Sequence, residues 1–192
     1  MLSWFRSRAQ DRRTAIDFYG AIVTHARRPD FFAGHDAAGG PEYGVSDTPE
    51  GRTAMIIVLM FPLLERLQHG SSRERRVARF LAETFVTDID DCLREMGVGD
   101  MSVPKKVKRA AQALGERCLA YRHAATSPEP AAALAQELAT TVPGLEAAPQ
   151  GADALASLTL QSLNGLHGIP AERLLTGAIS FPEPSHRIRG AA

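Results

Sequence analysis

Apolar residues recur along most of the chain at the three- and four-residue spacing of α-helices, and no segment alternates as a β-strand does. The first helical segment runs from about Asp11 to Arg28 and ends before Pro29, because the residue preceding a proline is driven out of the α region. A glycine-rich loop over residues 34–44 follows it. The pattern therefore predicts an all-α fold with no significant sheet.

A second helix is predicted from Thr48, which can cap it, with Pro49 in the first helical position. Every residue from Ala54 to Leu64 is apolar. This run is too short for a bilayer, which needs roughly 20 residues, so it predicts a central helix that is buried on all sides. Pro62 lies inside the run and is expected to kink or split the helix.

The third and fourth helices have clear start signals. Ser71 and Glu74 form the sequence of a capping box, and Ser102 with Pro104 opens the next helix after Gly97. Weaker helical patterns follow at about residues 128–140, 152–166 and 171–175. We therefore expect six to seven helices in one compact domain over residues 11–178. A flexible N-terminus (1–10) and a Pro-rich C-terminal tail (179–192) would flank it.

The composition is that of a globular protein, with 192 residues, 44% hydrophobic content and no net charge. Cys92 and Cys118 are too few for a disulfide framework and are expected as buried thiols in a reducing compartment. No apolar stretch of signal-peptide length opens the chain, so we expect a cytoplasmic protein. Trp4 and Phe5 beside arginines leave open peripheral contact with the inner face of the cytoplasmic membrane, or simple packing on the body.

Charge on the third helix is reversed relative to the helix dipole, which favours acids at the start and bases at the end. Four arginines fall in its first turns, and an acidic cluster falls in its last turns: Asp88, Asp90, Asp91 and Glu95. A basic cluster opens the fourth helix just beyond: Lys105, Lys106, Lys108 and Arg109. Two interpretations remain open. The clusters either neutralise each other or form a polar recognition surface.

Two further functions follow from these clusters taken separately. The basic cluster would suit a ribosome- or RNA-binding module, although no aromatic residue interrupts it to stack on bases. Asp88, Asp91 and Glu95 share a helix face and would suit Mg²⁺ in a carboxylate-metal enzyme. No nucleophile elbow, phosphate loop or dinucleotide fingerprint is present, so we expect a binding protein without a cofactor and not an enzyme.

Three runs of residues carry a recognisable pattern. They are Tyr19-Gly20-x-Ile22-Val23-x-x-Ala26-Arg27-x-Pro29-x-Phe31-Phe32, Tyr43-Gly44-Val45-x-Asp47-Thr48-x-x-Gly51-Arg52, and Asp88-x-Asp90-x-x-Leu93-Arg94-Glu95-Met96-Gly97-Val98-Gly99-Asp100 with Val103-Pro104-Lys105. In this order and at these distances they resemble the ubiquinol–cytochrome c chaperone family. A tail containing Leu174-Leu175-x-Gly177 and Phe181-Pro182 is similar to the end of its bacterial members, so the resemblance covers most of residues 15–184.

The resemblance implies a helical assembly chaperone that binds newly made cytochrome b during biogenesis of the cytochrome bc complex (complex III). It also implies partners near the membrane, namely the ribosome and a small helical protein. Arg27 and Arg52 are candidate partner-binding residues because arginine is rarely buried without a partner. Phe31 and Phe32 are candidates as aromatic binding residues, with core packing as the alternative. The acidic and basic clusters complete the candidate partner-binding set.

Overall fold

Seven α-helices make up most of the chain that the structure describes. The computed structural model describes residues 2–33, 43–176 and 179–182. Within these ranges the only strand-like feature is an isolated bridge between Phe32 and Val45. The all-α prediction is therefore confirmed. The helices are α1 (Leu2–Ala26), α2 (Pro49–Gln68), α3 (Ser72–Glu95), α4 (Val103–Ala125), α5 (Pro130–Thr141), α6 (Pro149–His167) and α7 (Ala171–Leu174).

Helix α1 begins at Leu2, so the predicted start at about Asp11 is wrong and the helix extends through residues 2–10. The added part of the helix contacts α3, where the Arg8 guanidinium lies 5.9 Å from the centre of the Phe80 ring. The side chains of Trp4 and Phe5 lie outside what the structure describes, as do the glycine-rich residues 34–42. The expected domain end at residue 178 and the tail residues 183–192 also fall outside the described ranges.

Helix α2 is the centre of the fold and packs against α1, α3, α4 and α6. All but one of the residues from Ala54 to Leu64 are buried, and Ile56 is partly buried. The Thr48 side chain accepts a hydrogen bond from the Gly51 N–H, as predicted for the helix cap. Helix α2 continues through Pro62, so the expected split does not occur. Packing on several sides offsets the backbone hydrogen bond that the proline cannot make. No helix within the described ranges is long and apolar enough to cross a membrane.

The segment before α2 lies against the turn between α5 and α6. Ser46 N–H donates to the Pro143 carbonyl at 2.8 Å, and Gly44 and Gly144 both have positive φ angles, of 83° and 98°. A side chain on Gly151 would collide with the backbone carbonyl of Tyr43. The turn therefore needs glycine because backbones approach each other closely there.

Glu74 joins three parts of the fold at the start of α3. It is buried, accepts from the Ser71 N–H at 2.6 Å, and pairs with Arg66 of α2 at 2.7 Å. Arg66 also donates to the carbonyl of Ile169 beyond α6. Burial acts to raise the pKa of Glu74, but the hydrogen bonds to Ser71 and the charge of Arg66 outweigh it and lower the pKa from its ordinary value of 4.5. The predicted capping box is confirmed.

Replacing Gly151 with alanine is expected to destabilise the protein by about 2–3 kcal/mol, because the Tyr43 backbone must move. Gly165 is the matched control. It lies inside α6 with nothing within 4 Å of the added Cβ, so Gly165→Ala should stabilise by about 0.5–1 kcal/mol. Urea unfolding of the two variants measures both effects. Equal effects of the two substitutions would contradict the packing described here.

Glu74→Gln is expected to lower the free energy of unfolding at neutral pH by about 2 kcal/mol, because the charged partner of Arg66 is lost. Since the pKa of Glu74 is lowered on folding, its stabilisation is fully present above pH 4.5 and is lost as pH falls through the lower folded-state value. The gap between wild type and variant should therefore narrow on acidification. Unfolding curves from pH 7 to pH 3, with exposed Glu116→Gln as control, test this, and a gap independent of pH would contradict it.

Candidate functional site

The acidic and basic clusters lie at one end of the hairpin formed by α3 and α4. Helix α3 ends in a Schellman motif, in which the Val98 N–H donates to the Leu93 carbonyl at 3.0 Å and Gly97 has a φ of 72°. The turn brings the chain back so that α4 starts at Val103 and packs along α3. The last turns of α3 and the first turns of α4 are thus neighbours. The connecting loop exposes Met96 (58%) and Met101 (97%).

The carboxylates of the acidic cluster have different surroundings. Asp88 accepts a hydrogen bond from the hydroxyl of buried Tyr19 on α1 at 2.7 Å. Asp90 pairs with Arg94 at 2.7 Å, and Arg94 also reaches Asp100 at 3.2 Å. Within the described residues, Asp91 and Glu95 form no side-chain hydrogen bond or ion pair and are exposed. Half of the cluster is therefore tied to the fold, and half is available at the surface.

The basic cluster is exposed and unpaired within the described part of the chain. The side chains of these residues are exposed, and no ion pair joins them to the acidic cluster: Lys105, Lys106, Lys108 and Arg109. The interpretation in which the two clusters neutralise each other is therefore not what the structure shows. Each cluster remains at the helix end that the dipole disfavours.

The arginines at the start of α3 have a partner that the sequence pattern did not predict. Asp11 of α1 is fully buried and accepts hydrogen bonds from Arg73 at 2.8 Å and Arg76 at 2.7 Å. Two weaker contacts at 3.7 Å join Arg12 and Arg79 to Glu83. The reversed charge at this end of α3 is thus compensated within the protein. The one sequence feature that indicates this pairing is the position of Asp11, a charged residue on the apolar side of α1.

The other predicted partner-binding residues divide into surface and core. Arg27 is exposed, and its positive charge acts to lower the pKa of the nearby Tyr19, against the larger effect of burial. Arg52 is exposed, pairs with Asp47 at 2.6 Å, and lies 5.2 Å from the centre of the Phe32 ring. Phe31 and Phe32 are buried, as the core-packing alternative expects, and they present no surface to a partner in this structure. Their rings fill the core beneath the loop before α2, where Phe31 contacts Tyr43 edge to face.

Titratable groups around Asp88 are held in their neutral forms. Burial and the hydrogen bond to Asp88 raise the pKa of Tyr19 far above its usual range, so the phenol remains a donor. Cys92 is exposed, contrary to the expectation of a buried thiol, while Cys118 is buried, and both are free. Partial desolvation and the charges of Asp88 and Glu95 raise the pKa of Cys92. Neither group is activated as a nucleophile.

The carboxylates are not arranged as a metal site. Asp88 is engaged by Tyr19 and Asp90 by Arg94. In the described residues no group of three or more His, Cys, Asp or Glu side chains is placed to hold a metal ion. The geometry therefore gives no support to the carboxylate-metal enzyme that Asp88, Asp91 and Glu95 suggested.

A groove between α1 and α3 adjoins the acidic cluster and was not predicted from the sequence. It has a volume of about 290 Å³ and ends at Asp88 and Asp91. Ile16 forms part of its wall and is 52% exposed, which is unusual for an isoleucine inside a packed helix pair. The full lining is Arg12, Ile16, Tyr19, Phe80, Glu83, Thr84, Thr87, Asp88 and Asp91. We call this feature the α1–α3 groove.

The fold and the site define an all-helical protein whose unpaired charges gather at one end of a hairpin beside an open groove. The family model described as ubiquinol–cytochrome C chaperone matches residues 41–181. The chain therefore belongs to the ubiquinol–cytochrome c chaperone family, and the resemblance of its three runs is confirmed as family membership. This membership supports a role as an assembly chaperone for complex III.

A solved structure agrees with the family assignment. The crystal structure of the Cbp3 homolog from Brucella abortus is similar to this chain, with 33% sequence identity and a TM-score of 0.76. The similarity covers 95% of this chain and 96% of the Brucella chain. No curated protein matches the sequence. The first run, residues 19–32, precedes the residues that the family model matches, so the structural similarity extends beyond the family model.

Asp11→Asn is expected to destabilise the protein by about 2–4 kcal/mol, because Arg73 and Arg76 are left without their buried acceptor at an unfavourable helix end. Exposed Asp17→Asn, on the same helix, should change stability by less than about 0.5 kcal/mol. Chemical denaturation measures both variants. A cost for Asp11→Asn as small as that for Asp17→Asn would show that this ion pair does not hold α1 on α3.

Proposed function

We propose that this protein binds newly made cytochrome b through the charged end of the α3–α4 hairpin, and that it acts by binding and not by catalysis. Membership of the chaperone family supports an assembly role. Cytochrome b suits this surface as a client, because it has apolar helices and short charged loops. The acidic and basic clusters would engage such loops. The exposed Met96 and Met101 would contact apolar segments nearby.

One observation carries the proposal, namely that the two clusters sit at unfavourable helix ends and do not pair with each other in the described residues. Each misplaced charge costs about 0.3–1 kcal/mol. Packing does not require these residues, because Asp91, Glu95, Lys105 and Lys106 are exposed. A surface that lowers stability without an internal contact is typical of a binding site, where the charges meet their partners only in the complex.

The proposal places the protein at the inner face of the cytoplasmic membrane while it holds its client. Cytochrome b is made at the ribosome and enters the membrane, so a chaperone without a membrane-spanning helix in its described residues would work beside both. Ribosome contact through the basic cluster is the competing use of the same residues. Variants of Lys105 and Lys106 separate the two uses, because client capture and ribosome contact can be measured independently.

Lys105→Glu/Lys106→Glu is expected to reduce client capture about tenfold or more, because charge complementarity is reversed at the docking surface. Acids are favoured in the first turn of a helix, so the same double variant should be about 0.5–1 kcal/mol more stable than wild type. Loss of function then cannot come from unfolding. The measurement is recovery of cytochrome b on the affinity-purified chaperone from detergent-solubilised membranes of a deletion host that expresses each variant.

The control is Arg13→Glu/Arg173→Glu, which reverses the same number of exposed charges away from the hairpin. It should leave client recovery and haem-loaded cytochrome b at wild-type levels. Asp91→Lys/Glu95→Lys tests the acidic cluster and should also lower recovery. Normal cytochrome b in the absence of the gene, or loss of ribosome contact alone in the lysine variant, would overturn the proposal.

A further inference from the structure

The α1–α3 groove has apolar walls and is not filled by the described residues. The ring of Phe80 and the partly exposed Ile16 line it from opposite helices. A second hollow of about 520 Å³ lies on the α4 side of α3, lined by Ala82, Val86 and Leu114 among others, and shares Arg12, Glu83 and Thr87 with the first. The outer side of α3 is therefore a ridge with apolar hollows along both edges, a shape that accepts another helix.

Charge changes sign along the groove. At one end the guanidinium groups of Arg8, Arg12 and Arg79 lie 5.3–5.9 Å from the centre of the Phe80 ring. At the other end stand Asp88 and Asp91. The Arg12 and Arg79 contacts with Glu83 are long, at 3.7 Å, and more than half exposed. Such pairs contribute little to stability and can be exchanged for contacts to a ligand.

Gly20 permits close approach at the same side of α1. It lies one helical turn after Ile16, and an added Cβ would have nothing within 4 Å. Glycine inside a helix costs about 0.5–1 kcal/mol relative to alanine. No contact among the described residues requires glycine here. The surface of α1 beside Ile16 is therefore open at Gly20.

We propose that the α1–α3 groove binds an amphipathic helix of a partner protein, running in the same direction as α3, with acidic residues in its first turns and basic residues in its last. Acids would face the arginines around Phe80, and bases would face Asp88 and Asp91. This order is also the one that the dipole of the incoming helix favours. The groove runs from Phe80 to Asp91, about 16 Å along α3, so about three turns with apolar residues at i, i+3 or i+4, and i+7 would fill it.

The proposal does not rest on cytochrome b as client, and its test uses none. Two stapled peptides of about 14 residues with the same composition are compared by fluorescence anisotropy on the full chain. One carries acids first and bases last, and the other has the reverse order. The first is expected to bind about tenfold more tightly. Equal affinity of the two peptides, or no binding of either, would overturn the proposal.

Matched variants locate the peptide. Ile16→Arg should weaken binding at least about fivefold, while Leu119→Arg, which changes a residue of almost equal exposure on α4 (51% against 52%), should not. Gly20→Trp should block the groove, whereas Gly165→Trp should not. Equal effects within either pair would count against the groove. Concentration-dependent self-association that Ile16→Arg abolishes would instead assign the groove to a second copy of this chain.

Cys92 reports the direction of the bound helix. It is the exposed one of the two cysteines and lies one residue beyond Asp91, at the acidic end of the groove, whereas Cys118 is buried. An energy-transfer acceptor on Cys92 should therefore quench a donor at the peptide's C-terminus more than a donor at its N-terminus. The opposite result would show that the helix runs antiparallel to α3 and would refute the proposed orientation.

Discussion

Asp11 is a fully buried carboxylate on α1 that accepts hydrogen bonds from Arg73 and Arg76, and this contact fixes α1 on α3. A buried charge of this kind is tolerated only when its partners are held in place. The position of α1 in turn sets Tyr19 against Asp88 and forms one wall of the α1–α3 groove. The Tyr19–Asp88 hydrogen bond and the α1–α3 groove therefore depend on the ion pairs that Asp11 forms near the other end of α3.

Several residues of the second run are explained by the backbone conformation that they allow or stabilise. Gly44 supplies a positive φ, Thr48 caps α2, and a Cβ on Gly51 would collide with the carbonyl of Ser46. In the third run Gly97 ends α3, whereas the exposed Glu95 forms no side-chain hydrogen bond or ion pair in the described residues. Motifs of this family thus combine two kinds of constraint. The ones that build turns are explained by the fold, whereas no hydrogen bond or ion pair in the described residues explains Glu95.

The sequence predicts what local rules determine. The starts of α2 and α3 follow from the Thr48 cap and the Ser71 capping box, and the central position of α2 follows from its apolar run. The errors come from contacts between residues far apart in the chain. Pro62 is tolerated because other helices pack around α2, and Phe31 is buried with its ring against Tyr43. Asp11 was missed because its partners lie on another helix, a placement that periodicity does not reveal.

The reversed charge of α3 has different consequences at its two ends. At the start, the cost of arginines near the helix N-terminus is offset inside the protein by Asp11. At the end, Asp91 and Glu95 have no such compensation, and the facing lysines of α4 do not supply it. The unfavourable interaction with the helix dipole is thus offset within the protein at the start of α3, but it remains at the surface at the end of α3. Because helix dipoles act only over the last turn or so, a partner that relieves the cost must contact this end of the hairpin directly.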